Sequence, residues 1–261
     1  MSLPQRPGAA ARRLRLVTIV AAVVAITWWA ARGIEMSLGQ LVRNIPQARR
    51  LLNDSWPPDW SFLSRLLDPF LETVQIAILG STVGVLVALP VAVLAARPIA
   101  PRRWIYLIDR NFMNILRTLP DLFWAMLFAS AVGFGPFAGA IALSVFSVAV
   151  VSKLLSESIE SIDLRLLEAV EASGGTWFER VRYGVMPQVL PQYVSYALYM
   201  FELNIRASVV LGLVGAGGIG VVLNVQLRTF NYSRVAVILI AIFAFVLIIE
   251  RVSEAARRRL V

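Results

Sequence analysis

The chain has 261 residues, 58% of them apolar, with no cysteine and no histidine. This composition excludes disulfides, thiolate nucleophiles, histidine bases and nearly all zinc chemistry, so no metal site is expected. The net charge is +9, with Lys153 as the one lysine beside many arginines. On a chain this apolar the charge reads as anchoring on the cytoplasmic side of a membrane, not as binding to nucleic acid. Several apolar runs exceed the ~18 residues needed to span a bilayer, so the fold class is an all-α, multi-pass membrane protein.

In chain order, Arg6, Arg12, Arg13 and Arg15 precede an apolar run over 16–31. No small-x-small cleavage site follows it, so it reads as a retained first span that starts in the cytoplasm and not as a signal peptide. Residues 32–68 are mixed. Trp56 and Trp60 suit an interface belt, and 38–53 has the pattern of an amphipathic helix on the outer surface. Further spans are expected over 69–96, 111–132, 136–155, 188–214 and 235–249. Arg97, Arg102, Arg103 and Arg110 mark 97–110 as a cytoplasmic loop, and Arg257, Arg258 and Arg259 mark a cytoplasmic C-terminus. The expected organisation is an N-terminal helix with an extracytoplasmic segment (1–68), followed by a transmembrane core (69–261). Six spans then leave both termini inside.

The charged loop 156–187 reads as two short helices. Asp163 can cap a first helix over 164–173. In it Leu164, Leu167 and Val170 recur as one exposed apolar stripe, and Gly174-Gly175 ends it. Thr176 and Glu179 form a capping box for a second helix, which Pro187 should stop. An apolar-striped helix between two spans either docks in a partner's groove or lies on the lipid surface.

Gly215-Ala216-Gly217-Gly218-Ile219-Gly220 contains a formal G-x-G-x-x-G. A dinucleotide fingerprint requires a preceding strand, and here a membrane span precedes it. The segment is better read as irregular backbone that ends the fifth span and turns toward a pore. Arg117 and Asp121 are four apart in the third span, and Glu202 and Arg206 are four apart in the fifth. That spacing places each pair on one helix face. The pairs either neutralise themselves as structural elements or offer Arg117 or Arg206 to an anionic solute. Gly80/Gly84 and Gly135/Gly139 are small-xxx-small faces suited to helix packing.

Glu168-Ala169-Val170-Glu171-Ala172-Ser173-Gly174, with Pro187 at the expected spacing, resembles the "EAA" loop of binding-protein-dependent ABC importer permeases. Val170 replaces the second alanine of that pattern, and Gly184 stands where Ile or Val is usual. The runs Arg117-Thr118-Leu119-Pro120-Asp121-Leu122, Asn204-Ile205-Arg206-Ala207-Ser208 and Leu211 to Gly220 look like those of phosphonate-transport permeases. The resemblance implies a type I importer permease fold and coupling to an ATPase through Leu164, Leu167, Glu168, Ala169, Val170 and Gly174. It places Arg117, Asp121, Glu202, Arg206, Ser208, Gly217 and Gly218 at a pathway for a phosphonate or related oxyanion.

The chain itself would then have no catalytic residue and no cofactor, with ATP and Mg held by the partner. The implied partners are two ATPase subunits, a second permease copy or paralogue, an extracytoplasmic binding protein and membrane lipid. The implied location is the bacterial inner (plasma) membrane. A methionine-type permease shares the Gly-rich end and is the nearest alternative. A secondary transporter working without an ATPase would show inverted repeats, and the first half contains no counterpart of the Gly-rich segment. An intramembrane enzyme would be left with a Ser–Lys or a paired-carboxylate site, and the one lysine, Lys153, adjoins Ser152, from which it points apart on a helix.

Overall fold

The computed structural model describes residues 9–34 and 37–258, with the side chains of 9–14, 38 and 41 left aside. Arg6, Arg259 and the side chains of Arg12 and Arg13 lie outside what is described. The chain divides into two compact units, Met1–Asn53 and Asp54–Val261.

The first unit holds two described helices. α1 (Ala9–Gly33) is apolar on all faces over 16–31, and Arg15–Gly33 is long enough to cross a membrane. A helix apolar all round needs either lipid or a large core about it. Near its end Arg32 lies over the Trp28 ring at 3.9 Å. α2 (Leu38–Asp54) is amphipathic, matching the helix expected over 38–53, and carries Pro46 inside.

The second unit opens with a 3₁₀ segment (Trp60–Leu66) that leads into α3 (Leu67–Leu94). There follow α4 (Arg103–Thr118), α5 (Asp121–Val132), α6 (Pro136–Glu160) and α7 (Leu164–Ala172). The chain continues through α8 (Trp177–Glu179), a π-helical segment (Arg180–Val185), α9 (Met186–Gly212), α10 (Ile219–Arg228) and α11 (Tyr232–Arg257). α3, α6 and α9 pack side by side. Gly80 and Gly84 let α3 and α6 approach: a Cβ on Gly84 would lie 2.3 Å from that of Ser147, and one on Gly80 2.6 Å from that of Leu143. Such contact replaces the hydrophobic drive that lipid cannot supply. Gly139 seats against the Ala216 carbonyl, whereas Gly135 caps α6 in a turn and packs on nothing.

Two expectations are corrected. The third span is not one helix: α4 and α5 meet at 89°. Pro120 is the cause, because it holds Leu119 extended and withholds a backbone donor. Pro187 does not stop the second loop helix. It occupies the first turn of α9, where a missing N–H is harmless, and the π-helical segment carries the backbone on from α8. By length and hydropathy, four described helices qualify as spans, or five with the bent pair. α9 is absent from that group because Gln188, Gln192, Glu202, Asn204 and Arg206 interrupt it. It can carry them because α3, α6, α10 and α11 surround it.

Candidate functional site

The charged loop is rigidly built. Asp163 caps α7, its Oδ1 accepting from the Arg165 N–H at 3.0 Å. Gln188 Oε1 accepts from the Asp163 N–H at 3.0 Å, tying the cap to α9. At the other end Gly174 takes φ +82°, a conformation that L side chains resist, and its N–H returns to the Glu171 carbonyl. The Gly175 N–H returns to Val170 in the same way. Thr176 and Glu179 complete the expected capping box. Trp177 Nε1 then donates to the Ile99 carbonyl at 2.7 Å, pinning α8 beneath the end of α3.

Hydrogen bonds from Arg165 hold the Asp163 carboxyl below its ordinary pKa, and those from Thr176 do the same for Glu179. Both carboxylates therefore cap their helices in the charged form near neutrality.

The apolar stripe divides in two, which corrects the reading of Leu164, Leu167 and Val170 as uniformly exposed. Leu167 is only 6% exposed and packs with Val93, Ile99, Leu155, Ile159 and Val185. Leu164 is exposed, Val170 is half-buried against Gly175, and Glu168 and Ala169 face outward. Leu167 is thus the root of the helix, and Leu164, Glu168 and Ala169 form its open side. Gly184, the departure from the usual pattern, has a local reason: a Cβ there would come within 2.8 Å of Leu167 Cδ1.

The structure joins Glu202 and Arg206 as their spacing predicts, with Arg206 Nη2 at 2.6 Å from Glu202 Oε1. It adds a residue that the spacing could not show: Arg257, from the end of α11, reaches Glu202 Oε2 at 2.8 Å. Glu202 is 7% exposed and Arg206 47%. One buried carboxylate thus holds two guanidinium groups, leaving one positive charge in surplus at a half-open position. Arg117 and Asp121 fall on opposite sides of the Pro120 bend, and no ion pair joins them among the described residues. Asp121 instead accepts from the Leu122 N–H at the start of α5.

Ser208, Gly217 and Gly218 are buried within the chain. Asn204, one helical turn before Ser208, donates to Ser81 and Ser147 at 2.8 Å each and ties three helices together. The Gly-rich segment turns α9 into α10. Gly218 approaches Thr73, whose Oγ1 accepts from the Ile219 N–H at 2.9 Å and donates to the Pro69 carbonyl at 2.8 Å. A helix precedes this segment, so the G-x-G-x-x-G is not a nucleotide fingerprint. The Ser–Lys alternative has no geometry: Lys153 pairs with Glu157 at 2.8 Å, and the Ser152 hydroxyl donates to the Ala88 carbonyl.

Long apolar helices packed through small residues, with a capped charged loop at one end, define a multi-pass helical membrane protein. The chain belongs to the family of binding-protein-dependent transport system inner membrane components, which it matches over residues 88–261. It is 37% identical, over 95% of its own length and 89% of the relative's, to the phosphite transport system permease protein PtxC of Stutzerimonas stutzeri. It is also 37% identical to the phosphate-import permease protein PhnE of Mycolicibacterium smegmatis, covering 78% of this chain but only 39% of that protein. Among solved structures, an inward-facing MetNI methionine ABC transporter matches 78% of this chain and 99% of its own, with TM-score 0.67 and 22% identity. That likeness establishes the type I permease fold.

Proposed function

We propose that this chain is the pore-forming permease subunit of an ATP-driven importer in the bacterial inner membrane, carrying phosphite, phosphonate or a related small oxyanion. The observation that carries this reading is α7: a helix fixed from beneath by Leu167, capped at both ends and open along Leu164, Glu168 and Ala169. Such a helix transmits force only if something grips its open side. The grip is a cytoplasmic ATPase, one for each of two permease copies or paralogues, with ATP and Mg bound there and not in this chain. An extracytoplasmic binding protein delivers the solute.

The phosphorus oxyanions named for the relatives at 37% identity favour this substrate class over a methionine-type solute, whose support is a fold likeness at 22% identity. The exposed Arg206 on its buried counter-ion suits it too: an arginine fork stays charged and matches oxyanion oxygens with parallel donors. Arg117, exposed at the α4–α5 bend, is a second point of contact for the anion, with Asp121 near it.

The test is uptake and ATP hydrolysis by the chain reconstituted with its ATPase and binding protein in proteoliposomes. Glu168→Arg and Gly174→Leu should insert normally yet uncouple hydrolysis from uptake or release the ATPase. Full substrate-stimulated hydrolysis coupled to uptake in both variants would refute the coupling role of α7.

A further inference from the structure

A cavity of about 500 Å³ opens between the end of α3 and the start of α4, lined by Arg97, Ala100, Arg103, Tyr106 and Leu107. Its arginines are held unequally. Arg97 Nε donates to the Tyr106 hydroxyl at 2.9 Å, which fixes the guanidinium plane and leaves its terminal nitrogens without a protein partner among the described residues. Arg110 donates to the same hydroxyl at 2.8 Å and to Glu160 at 2.9 Å, so the one carboxylate paired here is already matched. Arg103 has neither hydrogen bond nor ion pair among the described residues. No side chain caps α4, so the free N–H groups of its first turn add the positive end of the helix dipole at Arg103. Beside the charge, Trp104, Leu107 and Ile108 are exposed and apolar.

We propose that this cavity binds the phosphate of an anionic phospholipid headgroup, with Arg97 and Arg103 as its ligands. The shared chemistry is that of a phosphate oxyanion, which two guanidinium forks and unpaired amides recognise. The neighbouring Trp104, Leu107 and Ile108 select the lipid over a free anion, since a tryptophan and aliphatic side chains beside a basic cluster suit the boundary between headgroups and acyl chains. The cavity lies at the same end of the unit as α7, because the Arg97 N–H donates to Glu160 and Ile99 packs with Leu167. A bound headgroup there would hold the α3–α4 turn on which Trp177 is pinned.

The experiment is native mass spectrometry of the full chain in neutral detergent, titrated with phosphatidylglycerol, phosphatidylcholine or inorganic phosphate. Wild type should retain phosphatidylglycerol in preference to phosphatidylcholine. Arg103→Gln breaks no internal contact and should weaken phosphatidylglycerol retention about fivefold; Arg97→Gln with Arg103→Gln should weaken it about 30-fold. Arg165→Gln with Arg258→Gln, outside the cavity, should leave it unchanged, and all variants should elute as folded, monodisperse protein. Equal retention by wild type and Arg103→Gln overturns the proposal, as does an equal loss in the Arg165/Arg258 pair. Saturable binding of inorganic phosphate that Arg103→Gln abolishes, with no preference for phosphatidylglycerol, would make the cavity a free-anion site and overturn the lipid assignment.

Discussion

Glu202 holds Arg206 and Arg257 at once, so its loss strands two charges and not one. Breaking a buried pair from one side typically costs about 3–5 kcal/mol, because the remaining charge keeps its desolvation without its partner. Arg206 is half open to its surroundings, so the lower end of that range applies here. Glu202→Gln should therefore lose about 3 kcal/mol in denaturant titration of the detergent-solubilised chain, and Arg257→Gln distinctly less. Transport separates a structural from a functional arginine. Arg206→Lys keeps the charge and should keep part of the uptake. Arg206→Gln should lose most of it while the complex still assembles. Equal uptake by wild type and Arg206→Gln at matched expression would leave Arg206 as the structural partner of Glu202 alone. The i, i+4 spacing made the Glu202–Arg206 pair visible beforehand. Arg257 lies 55 positions further on, and only the return of α11 brings it near. Arg117 and Asp121 had the same spacing but not the same outcome, because Pro120 lies between them and breaks the helix that the rule assumes.

At the scale of the element, α7 and α8 owe their shape to groups that titrate. Asp163 and Glu179 both sit below their ordinary pKa in the folded chain. A carboxylate whose folded pKa is depressed stabilises the fold above its unfolded pKa, and that contribution is lost as pH falls through the folded value. The loop should accordingly stay fully ordered near neutrality and loosen only on acidification below the ordinary carboxylate range, as both caps protonate. Hydrogen exchange over 161–179 checks this: protection should fall on acidification in wild type and already be reduced at neutral pH in Asp163→Ala, which lacks the cap. Wild-type protection in Asp163→Ala at neutral pH would remove the caps from the account. The helix, its cap and its glycine ending were legible in the sequence because each depends on neighbours within a few residues. The inward turn of Leu167 was not, since it depends on α3, α6 and the glycine at 184. Gly184→Val should push α7 away from its seat, and it tests that contact directly.

For the whole molecule the question is which end of the helix bundle faces the cytoplasm. Within the second unit, one end is marked by Asp59 bonded to Arg234 at 3.2 Å and by Ser233 donating to the Asp54 carbonyl. The other end gathers Ile99, Leu167 and Val185 beneath α7. Arg97, Arg102, Arg103, Arg165, Arg180 and Arg182 lie toward that second end, while the first shows Arg65, Arg228 and Arg234. Basic residues in short connections stay on the cytoplasmic side, so the α7 end should lie inside. The exposed Trp56 and Trp60 then fall at the opposite interface, where indole rings settle. Because the chain has no native cysteine, single cysteines report cleanly. Cysteines at Arg103 and Thr176 should react with a membrane-impermeant maleimide only after the cells are opened, and a cysteine at Phe230 should react in intact cells. A cysteine at Arg258 should behave like the first two, because Arg251, Arg257 and Arg258 cluster at that end of α11. Labelling of Thr176 in intact cells would invert the bundle and place α7 where no ATPase could reach it.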